Sequence, residues 1–383
     1  MILTYFVYGG ALFVSTFLIY LSEYAKTNLQ KKMLFTLSFF VIFVIAALRY
    51  NVGEDYPSYE WLFYQFQEGG AQYVEVGYRY LNIFVADLGI GFEGFVAIIS
   101  FVTYYIFYKS YPKEKAYIFH FVFICTLYLY SFSNLRSSIV YGLMFIATLR
   151  YIEHKKLLPF LCFMAVSFLF HKSSVVYLII PVLFTRPFKV LAKSKIIPEV
   201  ILFILIALAL KADWLRTFFF FNPVSEVLGF SSYATAGRWG GDASVGTGLG
   251  VLGGLFAPII FVLFRRTLIA KNEKMIYVTI LSLLYILITD ISLAAKIAAR
   301  LKLLFSFINI IIIYYLVLYL SRDNKIIFLS PVFFYLVLIF FKTIHDSDVV
   351  KVGDMPGEAS IKVAPYVTIF NKEDSARAPF YKE

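Results

Sequence analysis

Charge is scarce in this chain. Of its 383 residues only 15% are Asp, Glu, Lys or Arg, too few to clothe a water-soluble globule of that length. Cysteine is nearly absent as well. Cys125 and Cys162 both fall inside apolar runs, where a free thiol acts as a small hydrophobe, so a disulfide framework and a Cys-based metal site are excluded. The four histidines, His120, His154, His171 and His345, show no ligand-like spacing with Cys, Asp or Glu. Chemistry without metal or cofactor is the expectation. The glycine-rich stretch Ser231–Gly254 lacks the GK[ST] ending of a P-loop, which argues against nucleotide binding there. The formal charge of +11 is broken into small clusters between apolar runs rather than gathered on one face, which excludes a nucleic-acid surface.

What the chain has in quantity is hydrocarbon: 61% of its residues are hydrophobic and 20% aromatic. The sequence therefore predicts an all-α, polytopic integral membrane protein. Spans are expected near 2–21, 33–50, 88–108, 117–133, 136–152, 157–171, 173–185, 196–211, 249–264, 275–293, 300–320 and 326–341, twelve in all. The first twenty residues carry neither a basic leader nor a small-residue cleavage site and read as a retained span. At about 1.5 Å rise per residue and a hydrocarbon core about 30 Å thick, the shortest of these, 173–185, must tilt, extend into its flanks or re-enter.

Basic residues set the orientation. The short loops 22–32, 109–116, 150–156, 186–195, 265–274 and 321–325 hold 19 of the 35 Lys and Arg, so they are expected inside and both termini outside. A re-entrant 173–185 would invert every later loop, and the charge pattern therefore favours a full crossing there. The chain reads as a single transmembrane domain. Its long connections, 51–87, 212–248 and the tail 342–383, then share the outer face, where binding and chemistry are expected. Leu215–Asn222 is too short to cross and is expected to lie in the interface.

Ionisable groups at the edge of hydrocarbon are costly to desolvate and usually sit in a polar cavity or pair with a ligand. Arg136 and His171 flank two spans joined by the basic turn Arg150–Lys156 and so fall on the same, outer side. Further outward arginines are Arg49, Arg79, Arg216, Arg238 and Arg300, for which the bland reading is snorkelling to headgroups. That reading suffices for Arg79 and Arg216. Asp290 is an intramembrane carboxylate near the outer end of its span, placed to neutralise Lys296 or Arg300 or to meet sugar hydroxyls.

Two patterned stretches carry a resemblance. Arg49, Val52, Gly53, Asp55, Tyr56 and Tyr59 form R-x-x-V-G-x-D-Y-x-x-Y, and Glu75, Gly77, Tyr78, Leu81 and Asn82 form E-x-G-Y-x-x-L-N. An N-x-R element at Asn134 and Arg136 and an F-H-x-S-S element from Phe170 to Ser174 follow in order. Over about residues 45–185 the chain resembles the EpsG family of Wzy-type polysaccharide polymerases, although Ser137 stands where the pattern has glutamine.

The resemblance implies a bacterial cytoplasmic-membrane glycosyltransferase with a GT-C-like architecture. It would join repeat units carried on undecaprenyl diphosphate at the outer face, for O-antigen, capsule or exopolysaccharide. Its partners would be those lipid-linked oligosaccharides, the bilayer, and a chain-length regulator and flippase of the same pathway. A leaving diphosphate needs a fixed cation, and the planar fork of arginine suits its oxygens, which points to Arg136 and Arg49 first, then Arg300 and Arg238. His171 is a base or a phosphate donor, since imidazole titrates near neutrality. Asp55 and Glu75 either serve as the base or pair with outward arginines, and Asp290, Tyr56 and Tyr78 are candidates for sugar contacts. A transporter or flippase for lipid-linked sugars would instead put charge near the midplane and show internal repeats, and no repeat is found. A non-catalytic partner in exopolysaccharide assembly is the third reading.

The orientation is testable. Single cysteines at Ser110, Ser194 and Asn272 should react with an impermeant thiol reagent only after permeabilisation, and those at Ser58, Ser244 and Ser360 in intact cells. Labelling at Ser194 from outside would invert everything after residue 185.

Overall fold

The computed structural model describes residues 1–209, 249–294, 296–347 and 361–375. Arg216, Arg238, the glycine-rich stretch up to Gly248 and the probe positions Ser244 and Ser360 lie outside the described residues. The regular structure described is helical, with one isolated antiparallel bridge between Arg49 and Thr368. Helix falls within each of the twelve apolar segments, of which 196–211 is described only to Ala209, but not every one is long and apolar enough to be a span. Six helices are long and apolar enough to cross a membrane by themselves: Ile2–Tyr24, Asn28–Ala47, Phe92–Ser110, Gly253–Lys271, Met275–Leu293 and Arg322–Asp346. A seventh arises if the pair Lys172–Leu183 and Arg186–Lys193, bent by 65°, is one span.

Contacts gather the chain into two compact units, Met1–Tyr177 with Leu336–Glu383, and Leu178–Tyr335. In the first unit, α1 (Ile2–Tyr24) and α2 (Asn28–Ala47) form a hairpin. Its turn is fixed by a reciprocal cap in which the Gln30 N–H donates to Thr27 Oγ1 at 3.2 Å and the Thr27 N–H donates to Gln30 Oε1 at 3.3 Å. The connection 51–87 is not a bare loop. It folds as α3 (Tyr56–Gln67) and α4 (Val76–Asp87), ahead of α5 (Phe92–Ser110); α6 (Ala116–Phe123) and α7 (Tyr130–Ser133) follow in this unit, and α10 (Ile179–Leu183) and α11 (Arg186–Lys193) open the second.

Helical spacing in α3 puts Tyr56, Tyr59, Phe63 and Phe66 on one buried face, and Tyr78, Asn82 and Val85 do the same in α4. These faces meet Phe92, Phe95, Val96 and Ile99 of α5 and Leu135 and Ile139 of α8 (Leu135–His154) in one apolar cluster. Its rings pack edge to face, Tyr56 on Phe92 at 5.1 Å and Tyr78 on Phe95 at 5.7 Å. Two short helices that could not hold their shape alone are thereby fixed to two long ones. α9 (Leu157–Phe170) runs back from the basic turn and packs on α8.

The segment expected to be an outward tail returns to the first unit. The N–H of Tyr50 donates to Val367 O at 2.9 Å, that of Ile369 to Leu48 O at 2.9 Å, and that of Gly53 to Lys362 O at 3.0 Å. Tyr8 and Tyr366 hydroxyls donate to the carbonyls of Val363 and Ile45 at 2.7 and 2.8 Å. Residues 361–375 thus complete the surroundings of Arg49–Gly53.

In the second unit, Arg265 was expected in an inner loop, but its helix continues to Lys271. The side chain is 1% exposed and is gripped by both oxygens of Glu199 and by the carbonyls of Ser194 and Lys195 at 2.9 and 3.1 Å. A basic cluster that reads as a topology signal therefore also ties α12 (Ile197–Ala209) to its neighbour.

Gly53 is the most constrained point of the motif region. Its φ is +116°, and a Cβ there would lie 2.4 Å from the carbonyl oxygen of Phe132, a backbone atom with no rotamer to change. Gly53→Ala should destabilise the protein by more than about 1 kcal/mol, read as a lowered thermal midpoint in detergent. An unchanged midpoint would mean that this backbone approach does not form in solution.

Candidate active site

Three elements of the first unit bring the site together. α8 begins after Asn134, whose carbonyl accepts from the Ser138 N–H at 2.9 Å, and this start sets Arg136 in the first turn. Glu75 stands immediately before α4. His171 follows the last residue of α9, its N–H donating to Ser167 O at 2.9 Å. Close approach of α4 to this end of α9 depends on Gly77, because a Cβ there would lie 2.8 Å from both Cβ and O of Leu169. The glycine of the E-x-G-Y element therefore lets the glutamate reach the histidine.

Arg136 Nη1 donates to Glu75 Oε2 at 2.6 Å. The other oxygen, Oε1, accepts the Lys172 N–H at 3.2 Å and lies 3.4 Å from His171 Nδ1. That last contact is near enough for attraction but not aligned as a hydrogen bond, since Nδ1 has no hydrogen-bond partner. Nδ1 of His171 is turned toward the carboxylate, and in the tautomer that carries an N–H there it is placed as a donor. The rings of Tyr59 and Tyr78 flank the guanidinium at 5.9 and 5.7 Å. Arg136 and His171 side chains are each 25% exposed and Glu75 9%, so the cluster is half sheltered and still reachable. Arg136 Nε is buried with no hydrogen-bond partner, a donor in reserve.

Burial would raise the carboxyl of Glu75, but the His171 imidazole, the Arg136 charge and the backbone N–H groups of Glu75 and Lys172 outweigh it and hold it at about 2. It is a carboxylate at any physiological pH. Lys172 and Tyr59 went unassigned as site residues in the sequence. Each fills a place within a motif already noted, Lys172 as the open position of F-H-x-S-S and Tyr59 as the last tyrosine of the first pattern.

The other candidates lie elsewhere. Arg49 is 1% exposed, with Nη1 donating to Ser100 Oγ at 3.1 Å and to Ala46 O, and its guanidinium 4.6 Å from the Phe132 ring centroid. Its Nε and Nη2 have no hydrogen-bond partner. Tyr56 packs against Phe92 and Tyr50. Asp55 precedes α3, its carbonyl accepting the Tyr59 N–H at 2.9 Å. Asp290 and Arg300 belong to the second unit; Arg300 is exposed, while Asp290 is fully buried and neither of its oxygens has a hydrogen-bond partner. Of the partners the sequence offered Asp290 (Lys296, Arg300 or a sugar hydroxyl), no hydrogen bond to either cation is seen from its oxygens among the described residues. Among the described residues no group of three or more His, Cys, Asp and Glu gathers as a metal set would.

Ionised Glu75 favours the folded state, because its folded value of about 2 lies below the ordinary 4.5. The contribution is fully present above 4.5 and is lost as pH falls toward 2. The difference in thermal midpoint between wild type and Glu75→Gln should thus be constant above about pH 5 and shrink below it. A difference that stays constant down to about pH 3 would show that the carboxylate is not held as described.

A model of the EpsG family matches residues 32–367, well beyond the stretch over which motifs are readable. No curated protein and no solved structure matches the chain. The match takes in α2, the helices that build the cluster around Arg136, and residues 361–367 that return to Arg49. On that coverage the chain belongs to the EpsG family, a family of Wzy-like polysaccharide polymerases of the inner membrane.

Proposed function

We propose that this polymerase transfers a glycan from a polyprenyl diphosphate to a hydroxyl of a second lipid-linked repeat unit, at the outer face of the membrane, without a metal. One observation carries the reading. An arginine, a histidine and a backbone N–H converge on a single negatively charged group, in a half-sheltered position at the start of α8 and the end of α9. Such a cradle suits the diphosphate that must leave as the glycosidic bond forms.

Arg136 supplies the planar fork, with its unused Nε available to a second oxygen. His171 presents Nδ1 as a further donor, and Lys172 offers both its N–H and an exposed ammonium whose Nζ donates to Tyr73 O at 3.3 Å. Tyr59 and Tyr78 limit the rotation of the guanidinium, so that little reorganisation is needed as charge develops on the leaving group.

Elongation of a defined undecaprenyl-diphosphate-linked repeat unit by the purified protein in proteoliposomes tests this. Arg136→Lys and Arg136→Ala should both insert normally yet lose about a hundredfold or more in rate, the usual effect of removing one oriented donor. His171→Ala should fall in the same class. If Arg136→Lys elongates at near wild-type rate and equal abundance, the arginine serves only as a cation at the headgroups and the diphosphate role is wrong.

A further inference from the structure

The anion at the centre of the cluster is the protein's own. Glu75 uses the donors that a diphosphate would need: Arg136 Nη1 at 2.6 Å, the Lys172 N–H at 3.2 Å and His171 Nδ1 at 3.4 Å. A carboxylate and a phosphate oxygen compete for the same guanidinium fork, so the two cannot both be fully satisfied. A carboxylate held this firmly is also a poor proton acceptor. Moving it off the arginine restores its basicity.

We propose, resting on the diphosphate reading above, that Glu75 is a stand-in anion which the donor's diphosphate displaces from Arg136, and that the released carboxylate then takes the proton of the acceptor hydroxyl. The acceptor oxygen, losing its proton to Glu75, forms a bond to the anomeric carbon. The bond from that carbon to the diphosphate oxygen breaks, and its electron pair leaves on the diphosphate, held by Arg136 and His171. Displacement ties the two halves of the reaction together: no strong base is exposed until a donor is seated, so a waiting acceptor or water is not activated at an empty site. Gly77 gives the carboxylate its reach, and the 9% exposure of the side chain leaves it a way out toward solvent.

The signature is a variant that binds better and works worse. With full-length protein in nanodiscs, geranyl diphosphate serves as the probe, against inorganic diphosphate to separate the headgroup from the lipid. Glu75→Gln removes the competing charge, and its affinity for geranyl diphosphate should rise about tenfold or more, while elongation of the lipid-linked unit falls about a hundredfold. Glu75→Asp, which keeps the charge on a shorter arm, should also bind more tightly than wild type while retaining part of the elongation. It serves as the test if the glutamine variant does not fold. Weaker or equal binding by both Glu75 variants, with Arg136→Ala impaired as expected, would overturn this inference and leave the diphosphate reading standing. Equal binding by wild type and Arg136→Ala would overturn both.

Discussion

A guanidinium drawn largely out of water must be compensated, and the contact between Arg136 and Glu75 is where this fold meets that demand. The two residues are 61 positions apart, so the pairing exists only if α3 and α4 fold down on α5 and α8. The aromatic cluster beneath them does this. Rings of Tyr59 and Tyr78 belong at once to that cluster and to the walls of the site. Packing energy from apolar burial is in this way converted into the position of a charge, and a change that loosens the rings loosens the arginine with them.

Arg49 shows the other solution to the same problem. Among the described residues no carboxylate pairs with it; a carbonyl, a serine hydroxyl, a phenylalanine face and the nearby phenols of Tyr104, Tyr56, Tyr128 and Tyr8 take that place. Enclosure at 1% exposure separates it from Arg136 at 25%. Two arginines that carry the same family pattern are therefore differently placed: one is enclosed beside residues 361–375, the other is partly exposed.

Much of this was legible in one dimension. Hydropathy located the long apolar helices, because a span must satisfy its backbone internally and so advertises itself in composition, but it passed over α3 and α4, which lie in a connection read as a loop. Arg136, His171 and Glu75 were marked by their position beside apolar runs or by motif spacing. The sequence hid the order among them. That Glu75 sits on Arg136 depends on Gly77 admitting α4 to the end of α9, a distance set by a missing side chain, which no charge or hydropathy count detects. Likewise, residues 361–375 read as part of an outward tail because their role lies in backbone hydrogen bonds to Leu48, Tyr50 and Gly53, and backbone groups have no letter in the sequence.

Those same hydrogen bonds reach across almost the whole polypeptide: Tyr8 and Val363 are separated by 355 positions. Contacts of such separation form late, since the intervening chain must first be made and inserted. During synthesis α1 and α2 therefore enter the bilayer with Arg49 still lacking the residues that enclose it, and the first unit stays open on one side until translation has passed residue 375. Until then Arg49 lacks its backbone bridge to Thr368 and the cover that comes with it.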